Sequence, residues 1–188
     1  MRVSLNTIKQ YIDFDLPPVS ELKNRINEQL GGIEEVVDLG AKYNGIVIVK
    51  VVSAAKHPDA DKLTVCKVDD GGVVQNVPRD ENGFVQVVCG APNAREGIFA
   101  VWLPPAVTVP ASFDDDEPFV LSARELRGVV SQGMLAAADE LAIGSDHNGI
   151  IELTDDDLPA ASSEGLSPGQ NFADLFGLND TIIDIENK

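Results

Sequence analysis

A histidine and two aspartates alternate in the segment HPDAD at residues 57–61. Imidazole nitrogens and carboxylate oxygens bind metals, so His57, Asp59 and Asp61 form a candidate metal site. The same residues suit a surface turn, because Pro58 favours a bend and aspartate side chains accept hydrogen bonds from nearby backbone N–H groups. A metal site needs further ligands, and we find no second cluster in the sequence that supplies them. We therefore predict a turn here and no metal site.

Basic side chains around this segment suit another chemistry, the binding of nucleic-acid phosphates. RNA recognition needs cationic donors for phosphates and polar or flat groups for exposed bases. Aromatic residues such as Trp102 lie in apolar runs, so we predict that they are core residues rather than stacking platforms. The candidate phosphate contacts are Lys56, Lys62, Arg95 and Arg127.

The sequence offers little for catalysis. It has no glycine-rich phosphate loop ending in Lys-Ser/Thr, no Gly-x-Ser-x-Gly elbow and no Cys-x-x-Cys pair. Ser131 lies close to Gly133, but no candidate base lies nearby in the sequence, so this serine does not form a nucleophile motif. Carboxylates are numerous, but number alone does not create acid–base pairs with shifted pKa values. We predict that this chain is not catalytic by itself.

The charge of the chain argues against a general affinity for nucleic acid. Fourteen basic and thirty-one acidic residues give a net charge of −17, whereas nucleic-acid binders usually present a basic surface. Residues 41–151 carry nine basic and fifteen acidic residues, or −6, and the flanks carry five and sixteen, or −11. The segment from Lys42 to Lys67 contains five lysines and only two acidic residues, both aspartates. Any phosphate-binding surface must therefore be a local strip on an acidic body.

The middle of the chain reads as a series of short β-strands separated by Gly and Pro clusters, which is typical of a small closed all-β barrel. Two stretches read as loops, 70–83 and 111–118, the second with four consecutive acidic residues at 114–117. One helix is predicted inside this region, at 136–141. The predicted strands are 46–52, 63–68, 84–89, 98–103, 119–121 with 126–130, and 150–153.

The flanks of the chain predict a small α+β piece. Residues 1–5 and 33–39 read as strands, 7–12 as a short helix, and Ser20 as the N-cap of a helix that stops at Gly31-Gly32. A stretch rich in Ala, Ser and Gly at 160–168 precedes a short helix at 170–176 and a strand at 181–185. No apolar run reaches the ~20 residues of a membrane helix, and no signal peptide is evident. Cys66 and Cys89 lie in predicted strands and suit thiols of a reducing cytoplasm, with a disulfide as the less favoured alternative.

Three blocks of sequence, in order, resemble the signature of a family of tRNA-binding modules. They are HPDADKLTVCKVD at 57–69, VVCGAPN at 87–93, and LRGVVSQGML at 126–135 followed by DEL at 139–141. The family includes the β chain of bacterial phenylalanyl-tRNA synthetase, the tail of some methionyl-tRNA synthetases and endothelial monocyte-activating polypeptide II. The resemblance implies an oligonucleotide/oligosaccharide-binding (OB) barrel, and three blocks in order are far more specific than any one.

The flanking segments resemble the synthetase β chain rather than the free-standing relatives. The opening VSLN at 3–6, the strand GIEEV at 32–36 and the tail IIDIENK at 182–188 carry this likeness. It implies a mainly β fold with an α+β part, in which a five-stranded OB-fold barrel at 41–151 is inserted into a small N-terminal α+β domain. Residues 1–40 and 152–188 would form that discontinuous domain, and we expect the chain to be a fragment of a longer protein.

The resemblance also implies a function. The chain would be the auxiliary tRNA-binding region of a phenylalanine–tRNA ligase β subunit, contacting tRNA without sequence specificity. Its partners would be phenylalanine-specific tRNA and the α subunit of an α2β2 enzyme, with no membrane. The whole enzyme would use ATP and Mg²⁺ at a site on the α chain, and no cofactor is expected in this region. The alternative is a structural or protein-interaction module that has lost most RNA affinity. Salt dependence of binding discriminates between the two.

Three further candidate RNA contacts follow from the resemblance. Asn93 and Ser131 would supply hydrogen bonds and Met134 an apolar surface, because these blocks lie on the RNA-facing side in the family. Alternatives stay open: Met134 would be barrel core, and Asn93 a cap that stabilises its loop. The chain departs from its relatives at Ala136-Ala137, where they commonly have Cys-Ser, and in the longer stretch 70–85. These departures bear on affinity for tRNA and not on the fold.

Overall fold

The structure is a computed structural model that describes residues 1–159 and 165–186. Residues 160–164 of the Ala/Ser/Gly-rich stretch and the last two residues of the tail, Asn187 and Lys188, lie outside the described part. Helices are few and short: α1 is Leu5–Lys9, α2 is Val19–Gln29 and α3 is Phe172–Leu175. The strands are β1 Arg2–Ser4, β2 Ile33–Asp38, β3 Val47–His57, β4 Ala60–Asp69, β5 Val85–Cys89, β6 Phe99–Leu103, β7 Arg124–Leu126, β8 Val129–Ser131, β9 Met134–Leu135, β10 Glu152–Leu153 and β11 Thr181–Ile185.

The chain divides into two compact units. The first comprises Met1–Ala41 with the described part of Gly177–Lys188, and the second is Lys42–Phe176. The division groups residues 152–176 with the second unit, whereas the sequence prediction assigned them to the discontinuous domain. The predicted domains, 1–40 with 152–188 and 41–151, stay a prediction.

The first unit is a three-stranded antiparallel sheet in the order β1-β11-β2. The N-terminal strand pairs with the strand at 181–185, with Val3 opposite Ile183. Alternating apolar residues of β11 face a small core, in which Leu5, Ile26, Ile183 and Ile185 are buried. Ser4 caps α1 by accepting a hydrogen bond from the Thr7 N–H. This unit is therefore built from both ends of the chain.

The second unit is organised around a six-stranded antiparallel sheet in the order β10-β6-β3-β4-β5, with β9 also paired to β6. The long neighbours β3 and β4 form a hairpin whose ladder carries two register shifts. Strands β7 and β8 form a separate two-stranded hairpin. The expected mainly β fold is confirmed. The strand pairings of the described residues do not close the large sheet into a barrel.

An apolar core of the second unit is made of residues from β3 to β6, most of them valine, together with Leu135 and Ile150. Trp102 is fully buried, and its indole N–H donates to the Gln132 carbonyl at 2.8 Å. This satisfies the one polar group of the side chain, as burial requires. The prediction that Trp102 is a core residue is confirmed. Cys66 and Cys89 are buried free thiols.

The predicted strand 126–130 is interrupted by a hairpin turn at 127–128, and three further local predictions are wrong. Residues 136–141 are not a helix but a series of turns at 138–142, in which Ala142 has a positive φ and the Glu140 side chain takes the Ala137 N–H. The N-cap of α2 is Pro18 rather than Ser20, and it forms no side-chain capping hydrogen bond. Proline suits a helix start because its fixed φ is compatible with the first turn. Residues 119–121 contribute only an isolated bridge between Val120 and Thr108.

Candidate nucleic-acid interface

The turn between β3 and β4 is fixed by His57, which is buried. Its Nδ1 accepts a hydrogen bond from the Asp59 N–H at 3.0 Å, and its Nε2 lies 2.9 Å from the Leu126 carbonyl oxygen. With Nδ1 as the acceptor, Nε2 is the ring nitrogen that donates to the Leu126 carbonyl. Both ring nitrogens are occupied by protein groups. Across residues 1–159 and 165–186 no group of three or more histidine, cysteine or carboxylate residues is arranged to hold a metal ion.

The hairpin of β7 and β8 turns through Arg127 and Gly128, which both have positive φ. Leu126 pairs with Val129 on either side, so this is a two-residue hairpin turn, in which positive φ matches the twist of the strands. Gly128 adopts this conformation without strain, whereas Arg127 is held there partly by its Nη1, which donates to the Asp59 carbonyl at 3.2 Å. The turn thus presents the guanidinium beside the turn at 57–60.

Four cationic groups of the second unit lie on the two hairpins that the His57 and Arg127 hydrogen bonds join. We call Lys56, Lys62, Arg124 and Arg127 the cationic cluster; all four are exposed. In the described part of the chain none of them forms an ion pair, whereas other basic residues are engaged. Lys67 pairs with Asp80 at 3.4 Å, and Lys42 and Lys50 lie over aromatic rings. Unpaired cations are the groups available to phosphates.

Sequence reasoning found three members of this cluster and missed Arg124. This residue lies ahead of the block that starts at Leu126, and the turn around 127–128 was not anticipated. The available signal was Gly128, because glycine accommodates the positive φ of a tight hairpin turn. Arg95, in contrast, is paired with Glu152 through two hydrogen bonds, one of them 2.8 Å between Nη1 and Oε2. A phosphate would have to compete with that carboxylate.

Asn93 and Ser131 are engaged by the protein itself. The Asn93 side chain accepts from the Ile150 N–H at 3.0 Å and donates to the Ile150 carbonyl at 2.8 Å, so it joins the loops 90–95 and 146–150. The Ser131 hydroxyl is buried, accepts from the Val88 N–H and donates to the Gly133 carbonyl, both at 2.9 Å. Both side chains therefore use their hydrogen bonds to hold segments of the protein in place. Direct contact of Asn93, Ser131 or Met134 with RNA stays a prediction.

Residues of the segments 88–92, 134–140 and 147–150 border a cavity of about 380 Å³ that we call the Glu140 pocket. Met134 is half-buried in its wall. The Glu140 carboxylate is also half-buried there, and burial raises its pKa above the ordinary value of 4.5 despite the hydrogen bond that Oε2 accepts from the Ala137 N–H. The residues that line the Glu140 pocket are Val88, Cys89, Gly90, Ala91, Pro92, Met134, Leu135, Ala137, Glu140, His147, Asn148, Gly149 and Ile150.

The long loop 70–83 is organised by a buried ion pair. Asp70 is fully buried and accepts from both terminal nitrogens of Arg79, at 2.6 and 2.9 Å. Burial alone would raise the pKa of Asp70, but the hydrogen bonds from Arg79 and from the Val74 and Gly72 N–H groups outweigh it, so the pKa lies below 3.8. The acidic residues 114–117 are exposed, as predicted.

No helix among the described residues is long and apolar enough to cross a membrane.

Comparison of the sequence with known proteins identifies the family of this chain. Residues 46–162 match the profile of a putative tRNA binding domain. The chain is 36% identical over 185 residues to the phenylalanine–tRNA ligase β subunit of Nitrobacter winogradskyi and 40% identical over 187 residues to that of Rhodopseudomonas palustris. Each match covers 98% of this chain, which spans about a fifth of the length of those relatives.

Among solved structures, one match is a methionyl-tRNA synthetase related protein from Pyrococcus horikoshii. The TM-score is 0.39 at 18% identity, covering 83% of this chain and 96% of that protein. The sequence match covers more than half of the chain, and over nearly its whole length the chain is homologous to phenylalanine–tRNA ligase β subunits. The chain belongs to the family of putative tRNA-binding domains.

Proposed function

We propose that this chain is an auxiliary tRNA-contacting region, in which the cationic cluster binds the phosphate backbone. The observation that carries the proposal is the position of four exposed, unpaired basic side chains on two hairpins that His57 joins. Phosphate contacts supply most sequence-independent affinity for nucleic acid. An acidic body around the cluster confines binding to this strip. Lys56, Lys62, Arg124 and Arg127 carry the contact, and Arg95 joins only when Glu152 releases it.

We further propose that the second unit is a five-stranded OB barrel. Two hydrogen bonds support this by joining the edge strand β5 to the end of β8, from which the chain continues into β9 beside β6. The Gln132 N–H donates to the Gln86 carbonyl at 2.9 Å, and the Ser131 hydroxyl accepts from the Val88 N–H at 2.9 Å. OB barrels are partly open Greek-key barrels, so an incomplete ladder at this edge fits the class.

The relatives suggest the setting in which this region works. We propose that it serves a phenylalanine–tRNA ligase as part of the β subunit, with an α subunit as partner in an α2β2 assembly and phenylalanine-specific tRNA as substrate. ATP and Mg²⁺ then serve aminoacylation at a site on the α chain, in the cytoplasm, and the region described here contributes tRNA contact rather than chemistry. The names of the homologous proteins support this role.

A second function is a structural or protein-interaction module with little RNA affinity. The observation that favours it is charge, since −17 on 188 residues repels a polyanion at long range. The two functions differ in one measurable respect, because a structural module loses nothing when the cationic cluster is neutralised.

Fluorescence anisotropy with labelled phenylalanine-specific tRNA tests the proposal on the 188-residue chain. Lys62→Ala and Arg127→Ala should each weaken binding, by about five-fold for about 1 kcal/mol of lost interaction. Lys23→Ala is the matched control, because Lys23 is an equally exposed lysine on α2, in the other unit. Equal affinity in all four proteins, or no binding at low salt, would reject the tRNA-contact role and favour the structural module.

A further inference from the structure

The Glu140 pocket has the features of a small-ligand site. Its walls are mostly apolar, with Val88, Leu135 and Ile150 buried behind it, and one carboxylate faces the space. Ligand sites in proteins are typically concave and apolar with few polar groups. A volume of about 380 Å³ lies at the small end of the range for such sites, so it suits one ring system rather than a larger molecule.

Glu140 has capacity left for a ligand. Of its two carboxylate oxygens, Oε2 accepts from the Ala137 N–H at 2.7 Å. Within residues 1–159 and 165–186, no hydrogen bond is made to Oε1. A half-buried carboxylate whose charge is disfavoured by burial gains from an N–H donor, because hydrogen bonds to charged groups are strong in a partly desolvated site.

The rim of the pocket offers flat and apolar surfaces. The His147 ring is held by a hydrogen bond of 2.8 Å between its Nδ1 and Asp139 Oδ2, while the ring remains exposed. Pro92 and Met134 form other parts of the lining. Unstacked RNA bases bind in this way, stacked on flat side chains and hydrogen-bonded along their Watson–Crick edge.

The pocket also lies close to the cationic cluster. Lys56 pairs with Thr64 across β3 and β4, and Thr64 pairs with Cys89 across β4 and β5. Cys89 lines the pocket, so its backbone is two strand spacings, roughly 10 Å, from that of Lys56. An RNA strand whose phosphates contact the cluster can therefore deliver a base to the pocket.

We propose that the Glu140 pocket binds one unstacked RNA base that carries an amino group, with the Glu140 carboxylate accepting from that group. This deepens the proposed function, since it assigns base selection to a region whose other contacts are to phosphates. Cytosine presents an amino donor where uracil presents a carbonyl oxygen, which an ionised carboxylate repels. Cytosine and uracil have nearly the same shape, so the difference between them isolates this contact.

The test uses two nucleosides, cytidine and uridine, because they carry no phosphate and so report on the pocket independently of the cationic cluster. Amide chemical shifts of the ¹⁵N-labelled 188-residue chain are followed during each titration. Cytidine should shift the amides of Leu135, Ala137 and Gly149 and bind at least about five-fold more tightly than uridine, the lower limit for one good base contact. Equal binding of the two nucleosides, or no shifts at these amides, would overturn the proposal.

Glu140→Gln separates the carboxylate from the rest of the pocket. The amide keeps an acceptor for the Ala137 N–H but also presents a donor, so the preference for cytidine should disappear while uridine binding persists or improves. Glu117→Gln removes the same charge from an exposed loop and should leave the preference intact. A preference that survives in Glu140→Gln would also overturn the proposal. The tRNA titration of the Lys62→Ala variant tests the proposed function separately, since that residue does not line the pocket.

Discussion

His57 and Leu126 are 69 residues apart in sequence, and the Nε2 of His57 lies 2.9 Å from the Leu126 carbonyl oxygen. This hydrogen bond fastens the hairpin of β7 and β8 to the turn between β3 and β4. A second bond, from Arg127 to the Asp59 carbonyl, joins the same two segments. The histidine that suggested a metal ligand in the sequence thus positions the basic side chains on both hairpins.

We expect His57→Ala to lower both stability and tRNA affinity. The change leaves the Leu126 carbonyl and the Asp59 N–H without their partner, which costs about 1–3 kcal/mol for buried groups. Loosening the hairpin should weaken tRNA binding about five-fold, although His57 itself is buried and touches no phosphate. Urea unfolding and anisotropy measure the two effects. Glu125→Ala, in the same hairpin, is the control: it keeps the His57 bond and should not weaken tRNA binding. Unchanged tRNA affinity in His57→Ala would refute the positioning role.

The buried pair of Asp70 and Arg79 should dominate the stability of the loop 70–83. Asp70→Asn leaves the guanidinium of the partly exposed Arg79 without its charge partner, and losing a hydrogen-bonded charged partner costs about 1–3 kcal/mol. Asp114→Asn, on the exposed acidic loop, should change the free energy of unfolding by less than about 0.5 kcal/mol. Urea denaturation of both variants checks this, and equal effects would show that the loop is not held by the pair.

The same pair predicts a direction for acid destabilisation. The pKa of Asp70 in the folded chain lies below its ordinary value of 3.8, so the folded state holds the charged form more strongly than the unfolded state. The stability that the group contributes is fully present above pH 3.8 and is lost as the pH falls through the lowered pKa. The difference in stability between the parent chain and Asp70→Asn should therefore shrink in acid. A difference that grows as pH falls would contradict the assigned shift.

Glu140 predicts the opposite direction. Burial raises its pKa above 4.5, so the folded chain binds this proton more tightly than the unfolded chain. The stabilisation is fully present below pH 4.5 and is lost as the pH rises through the raised pKa. Relative to Glu140→Gln, the parent chain should thus lose stability on going from acid to neutral pH. Unfolding free energies at a series of pH values measure this, and parallel curves for the two proteins would contradict it.

The two thiols should be inert in the folded chain. Burial raises the pKa of Cys66 to about 12 and raises that of Cys89, and the thiolate is the reactive form. Neither thiol should react with a disulfide reagent at neutral pH until urea unfolds the chain, when both should react. Rapid labelling of Cys66 in the native protein would contradict its burial.

The sequence predicted the strands of the second unit well, because long β-rich runs such as the one that forms β3 are bounded by Gly and Pro. It failed where tertiary packing overrides the local pattern. Residues 136–141 have helical composition, but the chain there forms turns that end at Ala142, whose φ is positive. Ala136, Ala137 and Leu141 are buried in these turns, and no local pattern reveals such packing.

The candidate site was only partly predictable for a similar reason. Lys56, Lys62 and Arg127 could be chosen as cations near recognisable blocks. The joining of their two hairpins, however, depends on a hydrogen bond between His57 and Leu126, which lies 69 residues further along the chain. The engagement of Arg95 by Glu152 joins positions 57 residues apart, and the pocket around Glu140 is assembled from three separate loops. Long-range pairings of this kind follow from the tertiary fold and not from spacing.

The most direct test of tRNA contact is the salt dependence of binding. The logarithm of the association constant of phenylalanine-specific tRNA is measured against the logarithm of salt concentration, for the parent chain and for the variant with Lys56, Lys62, Arg124 and Arg127 all replaced by alanine. Each phosphate contact contributes roughly 0.7–0.9 to the slope. We expect steep salt dependence in the parent chain and a slope lower by about 3 in the variant. Equal slopes, or no binding by the parent chain at low salt, would contradict phosphate contact by the cationic cluster.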